Sequence, residues 1–430
     1  MTSAMRPRTI LAIGFIAFLA YSYPGYMSTD SVQQLIEARN GLRSDVHPPL
    51  MAFEWGFLDA IVAGPLLMLC LQGVLALAGA NALLRRALSP QRAAVVACAL
   101  LLFPPILTTF GVIWKDAQMA GYLLVGTAAI VDDRRWIRLT GLAAMVAACA
   151  MRHNGFAAAV PLIGLLFVWR MGLPWWKRYA ISGATALTVV VLAFATTRVL
   201  AVKHVPISPA MGDIAGVLAY THDRSDDDLR AVLAGTPLHV TRDIQTRARR
   251  LYSPRNSYAL AHGDDRLFDP PTTDAQHAAL NRAWEDLVTS DWGAYFRSRL
   301  ATFRELLGLS DQPLWSPVWN DFLETKNQAT WVQHLALKSP LQVVLGRWFN
   351  VLAYETPLFE PYVYALIALV LLACFARERL TIALLASGLL YELGYFPATS
   401  TPDVRYSHWM IVCTCLAGVL VFVQRYRRRT

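Results

Sequence analysis

Residues Trp114 to Gly155 read WKDAQMAGYLLVGTAAIVDDRRWIRLTGLAAMVAACAMRHNG. Two apolar runs, 117–131 and 136–150, flank a short loop from Asp132 to Arg138 that carries Arg134, Arg135 and Arg138. A membrane crossing needs roughly 20 mostly apolar residues, fewer when flanking side chains reach for the interface. Lys and Arg are held back on the cytoplasmic side of a bilayer, so the arginine loop faces inward. Trp114-Lys115-Asp116 and Met151-Arg152-His153-Asn154-Gly155, at the far ends of the two runs, then share the opposite face. This hairpin predicts a polytopic membrane fold and the side on which its polar residues gather.

The rest of the chain extends the pattern. Its 430 residues are 55% hydrophobic and only 16% charged, too apolar for a soluble domain of this length. Apolar segments near 8–23, 63–84, 93–110, 117–131, 136–150, 156–170, 177–201, 361–376, 380–394 and 408–424 predict an all-α polytopic protein with about ten transmembrane helices. The basic loops are the N-terminus, Leu84 to Arg92, Asp132 to Arg138, Arg170 to Arg178, Arg377 to Arg379 and the tail Arg425 to Arg429, and they alternate with the remaining loops. A missed or invented span would put later basic loops on the wrong side, so loop charge supports the span count independently. Both termini are expected in the cytoplasm of a bacterial inner membrane. Three regions follow: an N-terminal membrane module over 1–202 with an outer loop at 24–62, a mostly helical periplasmic segment over 203–360, and a C-terminal membrane module over 361–430. In the periplasmic segment, helical spacing marks 273–289 and 291–307, while 341–355, interrupted by Arg347 and Asn350, reads as an interfacial helix.

Several classes are set aside. The net charge of +9 comes from small clusters between apolar runs, with no basic stripe or aromatic-interleaved face, so it reads as a topology signal and no nucleic-acid partner is expected. All six cysteines lie in apolar runs and read as small buried hydrophobes; the Cys413-x-Cys415 pair has no second thiol pair or nearby His. Arg6 and Arg8 precede an apolar run with no small-x-small cleavage site, which reads as a retained first helix. No internal repeat is evident.

The outer loops carry the candidate chemistry. Asp30 follows the first span by a few residues and should lie near the membrane surface. With Gln33 three residues on, and Val32, Leu35 and Ile36 at helical spacing, it also fits a helix N-cap, and the two roles are compatible. His47-Pro48-Pro49 opens a helix carrying Glu54, Trp55 and Asp59. Lys115 and Arg152 are cations kept on the outer face against the topological bias, which points to something anionic there; Arg405-Tyr406-x-His408, behind Pro402-Asp403, adds another. Together, Lys115, Arg152 and Arg405 with Asp30, Asp116, His47, His153 and His408 describe a site for a lipid-linked phosphate. The cations would grip phosphoryl oxygens and a carboxylate would serve as base toward a hydroxyl. The plain alternative is that these charges pair with one another to knit helix ends.

In these features the chain resembles the GT-C superfamily of integral-membrane glycosyltransferases, which includes protein O-mannosyltransferases and the lipid A aminoarabinose transferase. The resemblance rests on an acid in the first outer loop, a long hydrophilic segment after about seven spans, and an Arg-Tyr in a late outer loop. It is nearest to a bacterial branch carrying the motifs that stand here as Tyr23-Pro24-Gly25, Asp30, His47-Pro48, Trp114-Lys115-Asp116 and Arg152-His153-Asn154-Gly155. It implies transfer of a sugar, with inversion, from a polyprenyl-monophosphate donor to a glycan, lipid or protein acceptor outside the cytoplasm. Asp30 would be the general base, with Asp116 as a second catalytic carboxylate. Lys115, Arg152 and Arg405 would bind the donor phosphate, and His47, His153, Asn154, Tyr406 and His408 would contact sugar or acceptor. Where O-mannosyltransferases place paired acids in the first loop, this chain has Asp30-Ser31. The resemblance leaves metal dependence open, with Asp30 and Asp116 as the carboxylates that would hold a divalent cation (Mg or Mn).

Two rivals remain. A transporter or flippase of lipid-linked sugars usually carries midplane ionisable residues and inverted repeats, and neither is evident here. A polymerase or ligase using diphosphate-linked glycans would also keep outer-face arginines.

Overall fold

The computed structural model describes residues 5–45, 47–167, 172–203, 211–240, 242–314, 316–321, 338–399 and 401–429. The end of the apolar run expected at 156–170 and the stretch 322–337 of the hydrophilic segment fall outside them. Among the described residues the fold is all-helical, and β-pairing is confined to isolated bridges. The chain divides into two compact units, 1–204 with 316–393 and 405–430, and 205–315 with 394–404.

The first unit begins with α1 (Pro7–Ser22), followed by α2 (Thr29–Asn40), α3 (Leu50–Ile61), α4 (Leu66–Leu84), α5 (Pro90–Leu101), α6 (Pro104–Phe110), α7 (Lys115–Ile130), α8 (Arg135–Met151), α9 (Phe156–Leu166) and α10 (Trp175–Leu200). Local sequence sets these boundaries. Proline occupies the first turn of α1, α5 and α6, where its missing N–H costs nothing. Gly41, at φ 68°, ends α2 in the left-handed conformation. Asp30 is not the cap of α2: Ser28 is, and its backbone N–H donates to the Ser31 hydroxyl at 3.1 Å in a Ser–Ser capping box. The Asp30 carboxylate is therefore left to other partners.

The second unit holds α11 (Met211–Tyr220), α12 (Asp226–Val232), α13 (Ile244–Leu251), α14 (Tyr258–Ala261), α15 (Asp274–Ser290) and α16 (Trp292–Leu307). The two helices expected at 273–289 and 291–307 correspond to α15, shifted by one residue, and α16, which starts one residue later and ends at the same place. Ile214, Val217 and Leu218 of α11 are fully buried with Ile244, Leu280 and Leu287 in one core. The Gln245 side-chain amide donates to the carbonyls of Leu218 and His222, satisfying groups at the end of α11.

The chain then supplies α17 (Pro340–Glu355), α18 (Pro361–Val370) and α19 (Arg379–Leu393) to the first unit, the short α20 (Tyr395–Ala398) to the second, and α21 (His408–Arg429) to the first. The hydrophilic stretch of the second unit thus ends at 315, and α17, with 316–321, belongs to the first unit. Gln342 of α17 donates to the carbonyls of Tyr21 and Tyr23 at 2.9 and 2.6 Å, closing the end of α1.

Among the described residues four stretches are helical, long and apolar enough to cross a membrane: Leu66–Leu84, Trp175–Leu200, Arg379–Ala398 and Val404–Arg427. The segment expected as one span at 93–110 is instead the pair α5 and α6, bent by 73° at Leu102-Phe103-Pro104, and counts as a fifth if read as a broken span. Along α10, Leu187, Val191, Phe194 and Val199 are all more than half exposed, an apolar surface on a scale that water would not tolerate but lipid would. The α7 helix is held closely on two sides. A methyl group at Gly79 of α4 would lie 2.6 Å from the Leu124 backbone, and one at Gly141 of α8 would lie 2.8 Å from the Ile130 nitrogen. Small residues at such crossings let apolar helices approach backbone to backbone.

Candidate active site

The loop after α1 is stitched to the segment preceding α7. The Tyr26 N–H donates to the Gly111 carbonyl at 3.0 Å, and the Ile113 N–H donates back to the Tyr26 carbonyl at 2.9 Å. The Ser31 hydroxyl donates to the Ile113 carbonyl at 2.7 Å, and the Trp114 indole N–H to the Ser28 hydroxyl at 2.8 Å. The capping box of α2 is thus also its tether, and it brings Asp30 beside Lys115.

Asp30 forms an ion pair with Arg405, Oδ2 to Nη2, at 2.8 Å, and its side chain keeps 28% exposure. Burial works to raise its carboxyl, but the positive charges of Arg405 and Lys115, with His47 and the Arg405 hydrogen bond, outweigh this and hold it at about 2. It is ionised at any physiological pH. The Lys115 ammonium donates to His47 Nδ1 at 2.7 Å. A ring nitrogen that accepts from an ammonium carries no proton. Accordingly, burial first and the Lys115 charge second push the His47 imidazole down to about 4. Among the described residues Lys115 has no carboxylate within ion-pair distance.

Arg152, at the end of α8, pairs with Asp116 in the first turn of α7; the Asp116 side chain is 2% exposed and its Oδ2 has no hydrogen-bond partner among the described residues. Asn154 accepts from Arg152 Nε at 3.4 Å. The Tyr406 ring lies 4.8 Å from the Arg152 guanidinium and 5.4 Å from that of Arg405, which also stacks 4.8 Å from the Trp114 ring. Aromatic faces hold both guanidinium planes in place. The result is a layered cluster. Asp30, Arg405, Lys115 and His47 are partly open, while the Arg152–Asp116 pair is buried. The His47 ring is neutral, and Lys115, with no carboxylate within ion-pair distance among the described residues, stands as a cation beside the two ion pairs. A cation so placed suits an anion better than a fully neutralised knot of helix ends would.

The expected residues do not all converge. His153 is exposed and its Nε2 lies 3.2 Å from the Asp45 carbonyl, tying its turn to the first loop. His408 is 1% exposed, 4.9 Å from the Phe110 ring, and neither of its nitrogens has a partner among the described residues; it makes no hydrogen bond or ion pair with the cluster. Tyr406 and Asn154 contact the cations directly. For a divalent cation, the described residues bring together no group of three His, Cys, Asp or Glu side chains, and both candidate carboxylates are engaged by guanidinium groups. This donor set does not fit such an ion.

One acid was noted in the sequence but given no role. The Glu54 carboxylate accepts from the Tyr122 hydroxyl at 2.8 Å, while its Oε2 is buried without a partner among the described residues, and burial pushes its carboxyl up to about 7. Its only sequence signal is spacing: Glu54 lies seven residues after His47, as Tyr122 lies seven after Lys115. Lys115 and Tyr122 lie two turns apart on α7, so they share one face of that helix.

No family model, curated protein or solved structure matches the chain.

Proposed function

We propose that the chain is a membrane glycosyltransferase of GT-C type that moves a sugar from a polyprenyl-monophosphate donor onto a hydroxyl of a glycan, lipid or protein acceptor. The observation that carries this reading is the partly open group of Asp30, Arg405 and Lys115, an ionised carboxylate beside two cations, of which Lys115 has no carboxylate within ion-pair distance among the described residues. The donor phosphate would take hydrogen bonds from Lys115 and Arg405. As Arg405 turns to the phosphate, Asp30 loses part of the charge that depresses its basicity and becomes a better proton acceptor. The acceptor oxygen then attacks the anomeric carbon while its proton passes to Asp30. The bond from that carbon to the phosphate oxygen breaks, and its electron pair leaves with the polyprenyl phosphate, giving inversion. Lys115 and Arg405 stabilise the charge that grows on the leaving group. The buried Arg152–Asp116 pair, with Tyr406 and Asn154, would position this machinery.

The proposal includes the membrane setting. Ten spans across a bacterial inner membrane, with both termini cytoplasmic and the cluster facing the periplasm, agree with the alternation of basic loops. The 16 residues of α7 rise about 24 Å, so such short helices need local thinning or snorkelling at their ends.

Incubating the purified chain with short-chain polyprenyl-phosphate sugars tests the reading. Release of polyprenyl monophosphate is expected. Release of a diphosphate lipid would favour a polymerase or ligase. No release from any donor, with labelled lipid crossing liposomes, would leave a transporter.

A further inference from the structure

At the ends of α7, α8, α9 and α21 opposite to the cluster lies a cavity of about 750 Å³. Five arginines line it, Arg86, Arg138, Arg377, Arg379 and Arg427, against three acids, Asp132, Asp133 and Glu378. Asp132 is already held at 3.3 Å by Arg134, which lies outside the lining. None of the five arginines has a carboxylate within 4 Å among the described residues. Arg138 stacks 4.9 Å from the Phe167 ring, and its buried Nη2 has no hydrogen-bond partner among the described residues. The α19 helix opens at Arg379, and helix N-termini favour anions. Leu165, Leu166, Leu380 and Leu420 supply apolar lining to the same cavity.

Loop arginines that serve only to fix topology need no common cavity. These come from four separate segments and converge, with a formal surplus of two positive charges, above leucine side chains. We infer that this cavity is a binding site for a phosphate-bearing anion, and that the phosphate belongs to the headgroup of an anionic lipid whose acyl chains meet the leucines. The inference does not depend on the glycosyltransferase reading, since it concerns the opposite ends of the helices.

The test uses the full chain in phosphatidylcholine nanodiscs titrated with a photoactivatable phosphatidylglycerol, with soluble pyrophosphate as competitor. Saturable labelling is expected within 377–380 and 420–427. The double variant Arg377→Gln/Arg379→Gln should need roughly tenfold more phosphatidylglycerol for the same labelling. Arg347→Gln, on α17, should label as the unaltered chain does. Insensitivity to pyrophosphate would support the lipid source. Pyrophosphate that abolishes labelling and binds on its own, with the same loss in the double variant, would keep the phosphate site but assign it to a soluble anion. Labelling of the unaltered chain spread over other segments, with no pyrophosphate binding, would overturn the inference even if the double variant failed to fold.

Discussion

At the level of single residues, the site depends on which charges are shared. Arg405 serves Asp30 as counter-ion and stacks on Trp114 and Tyr406. Replacing it with alanine should weaken donor binding by about 10- to 100-fold, measured by titrating a short-chain donor. The same substitution removes the largest charge holding the Asp30 carboxyl down, so the acid limb of any remaining turnover should move to higher pH. Glu54 gives a second, independent reading. Its carboxyl is raised from 4.5 to about 7, so between those values the folded chain binds more protons than the unfolded one. Stability should therefore fall as pH rises from about 4.5 to 7 and level off above. Glu54→Gln lacks that loss, and its advantage over the unaltered chain should grow across this window by about 3 kcal/mol, read as thermal unfolding in detergent. An advantage that stays constant from pH 5 to 8 would mean Glu54 is ionised throughout.

At the level of helices, much was legible because the signals are local. Apolar run length marked α4, α10 and α21, and periodicity marked α15 and α16. His47-Pro48-Pro49 marked the start of α3. The bend between α5 and α6 was missed because apolar composition is continuous through Pro104-Pro105, although proline there is the cause of the break. The capping role of Ser28 was missed because Asp30 fits the same pattern two residues later, and only the contact of Ser31 with Ile113, 82 residues away, decides between them. His408 sits in a polar tetrad of sequence yet points its ring at Phe110, a long-range choice no local pattern records. The close crossing of α4 and α7 gives a direct check. Gly79→Ala should destabilise the chain by about 1–3 kcal/mol, measured by thermal or denaturant unfolding in detergent, because the added methyl meets backbone rather than a movable side chain.

For the whole molecule, two charged layers stand at opposite ends of the same helices. One holds the Asp30 cluster and the other the arginine-lined cavity. The chain order of acids and bases made this sidedness readable, since loop charge is a property of composition. How the loops pair is not, since it depends on contacts such as Asp30 with Arg405 across most of the chain. Sidedness can be measured in a cysteine-replaced background. A cysteine introduced at Asp264 should react with a membrane-impermeant maleimide on intact cells, and one at Asp133 only after permeabilisation. The central claim is that the Asp30 carboxylate takes the acceptor's proton. Its most direct test is to measure donor turnover and donor binding together for the unaltered chain and Asp30→Asn. The account predicts that the variant loses turnover by at least about a hundredfold while binding the donor within a few-fold of normal. Undiminished turnover in Asp30→Asn would contradict it.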